Sequence, residues 1–140
     1  MSILKPDCIE RNMEGTVRRM LTEHGFLVLL EKRTRLSLDD VSFIYERCVG
    51  EDFFKDFAAF LTSGDVVVLV LSNPTSKNVI KDLNSLVGHT NPQLAKDYTI
   101  RKLGESVRRN LVHSSADPPS FWREASRMFS EKEMCDAGLE

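Results

Sequence analysis

Apolar residues along the chain fall into separate runs, some spaced for strands and some for helices. Ser2-Ile3-Leu4 predicts a very short strand, ended at Lys5-Pro6 because proline cannot donate to a ladder. From Asn12, the residues Met13, Val17, Met20 and Leu21 form a helical stripe that stops at Gly25. Phe26 to Arg33 predicts a second strand, apolar at its start and charged at its end. Ser37-x-x-Asp40 has the form of a capping box, opening a helix with Val41, Ile44 and Tyr45 on one face. Phe54, Phe57, Ala58 and Leu61 mark another helix, running from about Phe53 and closed by Gly64. Val66 to Leu71 is an unbroken aliphatic run, the pattern of a strand covered on both faces. Asn73-Pro74 predicts an N-cap and first helical position for a helix toward Leu86. Gly88 to Arg108 is a long connection, too polar for core and without clear periodicity. Leu111-Val112-His113 predicts the last strand, and Asp117-Pro118 caps a final helix bearing Phe121, Ala125, Met128 and Phe129. Residues 131–140 predict a loosely held tail. The order of elements suits an α+β sandwich, one sheet with helices packed over it, as a single domain over residues 1–140.

Composition adds constraints rather than function. At 140 residues, with 41% hydrophobic and 29% charged residues, the chain can bury a real core without staples. A net charge of -2 supplies no global field for nucleic acid or membranes, so a polyanionic ligand must be met by local cations. Cys8, Cys48 and Cys135 are odd in number and widely spaced, which disfavours a disulfide framework and a zinc site. A reducing, cytoplasmic setting is the expectation. The longest apolar run, Val66 to Leu71, is far below the ~20 residues that cross a bilayer. RNA-recognition sheets need exposed aromatics on their strands; the strands here are aliphatic, so no nucleic-acid partner is expected.

Chemistry concentrates in a few short stretches. Arg109-Asn110-Leu111-Val112-His113-Ser114-Ser115 ends a predicted strand on a histidine, with a hydroxyl two residues on. A histidine beside aliphatic residues is more often structural than reactive, but strand ends next to loops are where reactive groups are placed. Lys5-Pro6-Asp7 sets a cation beside a rigid turn, and Thr90-Asn91-Pro92 and Thr99-Ile100-Arg101 lie between the two. No Gly-x-x-x-x-Gly-Lys-Ser/Thr loop is present, so phosphate would not be held in a P-loop.

Taken together these stretches resemble the nucleoside diphosphate kinase family, over Ile3 to about Phe129. The resemblance implies a ferredoxin-like topology with a four-stranded antiparallel sheet. It implies ping-pong transfer of a γ-phosphate between nucleoside tri- and diphosphates through phospho-His113, with ATP as a donor. Glu124 matches the glutamate that orients the histidine, Ser115 the serine that supports it, and Tyr45 a nearby tyrosine. Lys5, Thr90 and Arg101 match phosphate contacts, Phe53 the aromatic that stacks on the base, and Asn110 a contact to the sugar; Asn84 and Phe57 are weaker candidates. Mg²⁺ would ride on the nucleotide phosphates, so no protein metal site is implied. A homo-oligomer is implied as well.

Four positions depart from the family pattern. The first strand is cut to Ser2-Ile3-Leu4. Asn84 stands where a phosphate-binding arginine is usual, and Lys81, one helical turn earlier, is a candidate to replace it. Thr-Ile-Arg-Gly-Asp reads Thr99-Ile100-Arg101-Lys102-Leu103, with Tyr98 for a glycine before it. The Gly-Ser-Asp after the histidine reads Ser114-Ser115-Ala116, with Asp117 one residue late. These departures predict reduced activity rather than none, and leave a second expectation: a catalytically weakened kinase-like module that binds nucleotides or other proteins.

Overall fold

A computed structural model describes residues 1–139. Its centre is a four-stranded antiparallel sheet of β1 (Ser2–Leu4), β2 (Leu27–Arg35), β3 (Asp65–Ser72) and β4 (Val112–Ser114), in the order β2-β3-β1-β4. This is the expected ferredoxin-like α+β arrangement. The short β1 lies in the middle of the sheet, pairing Ile3 with Val68 on one side and with His113 on the other.

Alternation along β3 explains why its whole run is apolar. Val66, Val68 and Val70 enter one core, and Val67, Leu69 and Leu71 enter another on the opposite face. The first core is covered by α3 (Leu38–Ile44), α4 (Phe54–Leu61) and α6 (Pro118–Met128). The second is covered by α1 (Pro6–Glu10), α2 (Glu14–Glu23) and α5 (Val79–Val87). The Ser37 capping box forms as the sequence predicts, with Ser37 Oγ accepting from Asp40 N and Asp40 Oδ2 from Ser37 N, both at 3.0 Å.

The structure departs from sequence expectation in four places. Pro6 opens α1, a helical turn that the periodicity does not reveal. α5 begins at Val79 rather than at Asn73-Pro74. Asn73 is drawn away: its Nδ2 donates to the His24 carbonyl, and its Oδ1 accepts from Thr75 N and Oγ1, closing an Asx turn. Asn78 takes the cap instead, accepting from Lys81 N. The connection after Gly88 is partly core, because the 3-10 turn Ile100–Leu103 buries Ile100, and Thr99 and Ala95 are buried beside it. Gly88 is required there: its φ is +92°, and a Cβ would lie 2.5 Å from that of Thr99. The tail expected to be loose forms α7 (Glu131–Asp136), capped by a Ser130–Glu133 box, with Met134 buried in the first core.

A candidate active site around His113

β4 enters the sheet through an unusual residue. Leu111 is fully buried at φ +79°, a left-handed conformation that costs a branched side chain energy. Both of its peptide groups are clamped by the Lys-Pro-Asp turn. Leu111 N donates to Asp7 Oδ2 at 3.1 Å, and Lys5 N donates to the Leu111 carbonyl at 2.9 Å. The kink separates Leu111 and Val112, which face the second core, from His113, which turns toward the first.

His113 is fixed from behind. Its Nε2 lies 2.7 Å from Glu124 Oε1, and the Ser115 hydroxyl donates to the same oxygen at 3.0 Å. Glu124 is brought there by α6, whose N-cap Asp117 accepts from Ser120 N. Burial would push the Glu124 carboxyl up, but its bonds to His113 and Ser115 outweigh that and hold it below the usual value. It is therefore an ionised acceptor, and Nε2 must carry the proton. Burial lowers the His113 pKa against the opposing pull of Glu124, so the imidazole is neutral at pH 7. The remaining lone pair is on Nδ1, which makes no hydrogen bond among the described residues. The Tyr45 ring packs edge-on against the imidazole, centroids 5.1 Å apart, and its buried hydroxyl has no partner among the described residues.

His113 forms the floor of a 280 Å³ cavity. Lys5, Tyr45, Phe53, Phe57, Thr90, Arg101 and Asn110 line it too, so the structure brings together most of the residues singled out from sequence. Its cations are held by internal bonds. Lys5 Nζ donates to Asn110 Oδ1 at 2.7 Å, and Asn110 Nδ2 donates to the carbonyls of Thr90 and Val107. Arg101 donates through Nη1 to the Gly88 carbonyl and through Nε and Nη2 to that of Val112. Three of its five N–H groups are thus committed, and two are free to meet a ligand. Burial, with the Arg101 charge second, pushes the Lys5 ammonium down to about 7.

Two residues singled out from sequence lie outside this cavity. Asn84 is outside this cavity: its Nδ2 donates to the Ser115 carbonyl, and its Oδ1 accepts from Ser114 Oγ, so it braces β4 from the far side. Lys81 lines a separate cavity with Asn84, Asp117 and Pro118, and not the one at His113. Three liners were not foreseen: Cys48, one helical turn after Tyr45, and Val107 and Arg108, just before Asn110. Only their nearness in sequence to Tyr45 and Asn110 could have pointed to them.

A ferredoxin-like fold with a neutral, carboxylate-anchored histidine facing a cationic cavity defines a protein equipped for phosphoryl transfer through histidine. The comparisons with known proteins agree. The family model for nucleoside diphosphate kinase matches residues 1–134, and the chain belongs to that family. A nucleoside diphosphate kinase of Geobacter sp. (strain M21) is 40% identical over 134 residues, covering 95% of this chain and 96% of the relative. Among solved structures, the nucleoside diphosphate kinase of Aquifex aeolicus superposes with a TM-score of 0.87 at 27% identity, covering 94% of each chain. A nucleoside diphosphate kinase family protein from Babesia bovis does so with a TM-score of 0.85 at 27% identity, covering 94% of this chain and 88% of that one.

Proposed function

We infer that this chain transfers the γ-phosphate of a nucleoside triphosphate to a nucleoside diphosphate in two steps through His113. The reading rests above all on the His113–Glu124 pair, which leaves a single nucleophilic nitrogen open to the cavity. In the first step the Nδ1 lone pair attacks the γ-phosphorus. The N–P bond forms as the bond from phosphorus to the β-γ bridging oxygen breaks, and the diphosphate leaves with that electron pair. Positive charge developing on the ring is met by Glu124 at Nε2. In the second step a terminal oxygen of the acceptor diphosphate attacks the same phosphorus, and the ring recovers its lone pair.

Lys5 and the free Arg101 donors meet the charge on the equatorial phosphate oxygens. Thr90 and the unpartnered Tyr45 hydroxyl supply neutral donors, Asn110 holds Lys5 and faces the sugar, and Phe53, backed by Phe57, offers its ring to the base. The residues lining the cavity include no carboxylate, and no cluster of three metal-ligating side chains exists among the described residues. That donor set fits phosphate oxygens rather than a resident cation. Mg²⁺ would be held by the phosphates of a bound nucleotide and would supply charge neutralisation there. The reading of a weakened binding module is not favoured, because the matching relatives span the whole kinase length and the histidine and its supporting residues are intact.

Self-association belongs to the same proposal. β2 is an outer strand whose Leu27, Val28 and Leu29 are 52%, 44% and 38% exposed, an open apolar edge suited to a second copy. Val28→Lys is expected to lower the mass seen by sedimentation, and an unchanged assembly would reject this edge as the contact. No helix among the described residues is long and apolar enough to cross a membrane. The three cysteines are unpaired, which supports a reducing compartment such as the cytoplasm.

The experiment is intact-protein mass after incubation with Mg·ATP. A single acid-labile phosphoryl adduct is expected on the wild type, discharged by GDP and absent from His113→Ala. An adduct that persists in His113→Ala, or none in folded wild type, would sink the assignment.

A further inference from the structure

Phe53 and Arg108 both line the His113 cavity, and the Arg108 guanidinium carbon lies 4.5 Å from the centre of the Phe53 ring. That is stacking distance, so the ring face offered to a base is already covered by a side chain of the same protein. The arginine is held in reach by its backbone. Asn110 Nδ2 donates to the Val107 carbonyl at 2.8 Å, Lys5 Nζ approaches the Arg108 carbonyl at 3.4 Å, and Glu105 N closes the turn onto the Arg109 carbonyl at 2.9 Å. The side chain itself is exposed and has no carboxylate partner among the described residues. We propose that Arg108 covers the base platform and competes with the nucleobase, so that a base binds Phe53 only by displacing the guanidinium.

This rests on the nucleotide reading of the cavity and changes what recognition consists of. An exposed cation–π contact is worth roughly 0.5–1 kcal/mol, or about two- to fivefold in affinity. The base gains less from stacking by that factor, while phosphate contacts at Lys5 and Arg101 are untouched. Binding then leans more on the phosphates.

The test compares a base-bearing ligand with a base-free one, ADP and inorganic tripolyphosphate, by calorimetry on wild type, Arg108→Ala and Arg108→Lys. Arg108→Ala is expected to tighten ADP about two- to fivefold and leave tripolyphosphate unchanged. Arg108→Lys, which can keep a cation on the ring, should stay near wild type. In a Phe53→Ala background, Arg108→Ala should have no effect on ADP. Weaker binding of both ligands by Arg108→Ala would mean that the guanidinium grips phosphate, and weaker binding of ADP alone would mean that it clasps the base; either overturns the proposal. Unchanged ADP affinity overturns it too while leaving the cavity assignment standing. No ADP binding by the wild type overturns both.

Discussion

The two ends of the cavity are built on different terms. At the floor, His113, Glu124 and Ser115 are held by strand, helix and core, with Glu124 and Ser115 almost wholly buried. At the mouth, Phe53 is half-buried, while Thr90, Val107 and Arg108 are exposed, on loops. A nucleophile needs one tautomer and one orientation, and a packed environment can fix both without an ordering cost at the moment of reaction. A base-binding mouth needs only a flat apolar face, which a loop can present. The contrast separates chemistry from recognition, and substitutions at either end should fall on different kinetic constants.

The largest effect is expected at the floor. Glu124→Ala should lower kcat by on the order of 10²–10⁴, the scale seen when the group holding a catalytic histidine's tautomer is lost, with KM little moved. The pH profile sharpens the point. In the proposed mechanism neutral His113 is the reactive form, and burial lowers its pKa, so kcat should hold steady below pH 6.5 before falling. Glu124 raises that pKa, so in Glu124→Gln the residual acidic limb should move to still lower pH. A limb moving upward would contradict the assignment of Glu124 as an ionised partner.

An intermediate effect is expected where floor and mouth meet, at Lys5. With its pKa near 7, Lys5 is mostly neutral at pH 8 in the empty site, and bound phosphates favour its charged form. Binding of ADP at pH 8 should therefore take up close to one proton, and affinity should weaken from pH 7 to 9. Calorimetry in buffers of different ionisation heat measures this directly, and Lys5→Met should abolish the uptake. Equal uptake at pH 6 and pH 8 would rule the idea out.

The smallest effect belongs to Asn84, behind the floor. Asn84→Ala removes hydrogen bonds to Ser114 of β4 and to Ser115 just after it and should cost about 1–3 kcal/mol of stability, read by denaturant unfolding. KM should barely change, because the side chain is not in the cavity. A large rise in KM would restore Asn84 to the phosphate site.

What the sequence reveals follows from the range of the interactions. The β3 run and the Ser37 box are local patterns, and both form as their residues predict. The start of α5 is not local: Asn73 would cap it but for the His24 carbonyl, 49 residues away in sequence. Met134 and its neighbour Cys135 are adjacent in an otherwise polar stretch and form no helical stripe, too little periodicity to announce α7. For the site, His113, Glu124 and Lys5 stand out only through a resemblance, since each alone is an ordinary residue. Leu111 carries no sign of its left-handed backbone, and Arg108 none of its seat on Phe53, because both depend on chain folded back from a distance.

The position of β1 has a consequence for how the protein is made. Of the four strands, the one made first lies between β3 and β4, pairing Ile3 with both Val68 and His113. Until β4 has been synthesised, β1 has no partner on one side, and α6, which carries Glu124, follows later still. Meanwhile Val66 to Leu71, a segment with every property of an aggregating strand, has its hydrogen-bonding edges and both faces only partly covered. His113 and the closure of the sheet thus arrive together with β4, and a chain made only as far as β3 has neither the candidate site nor a covered β1 edge.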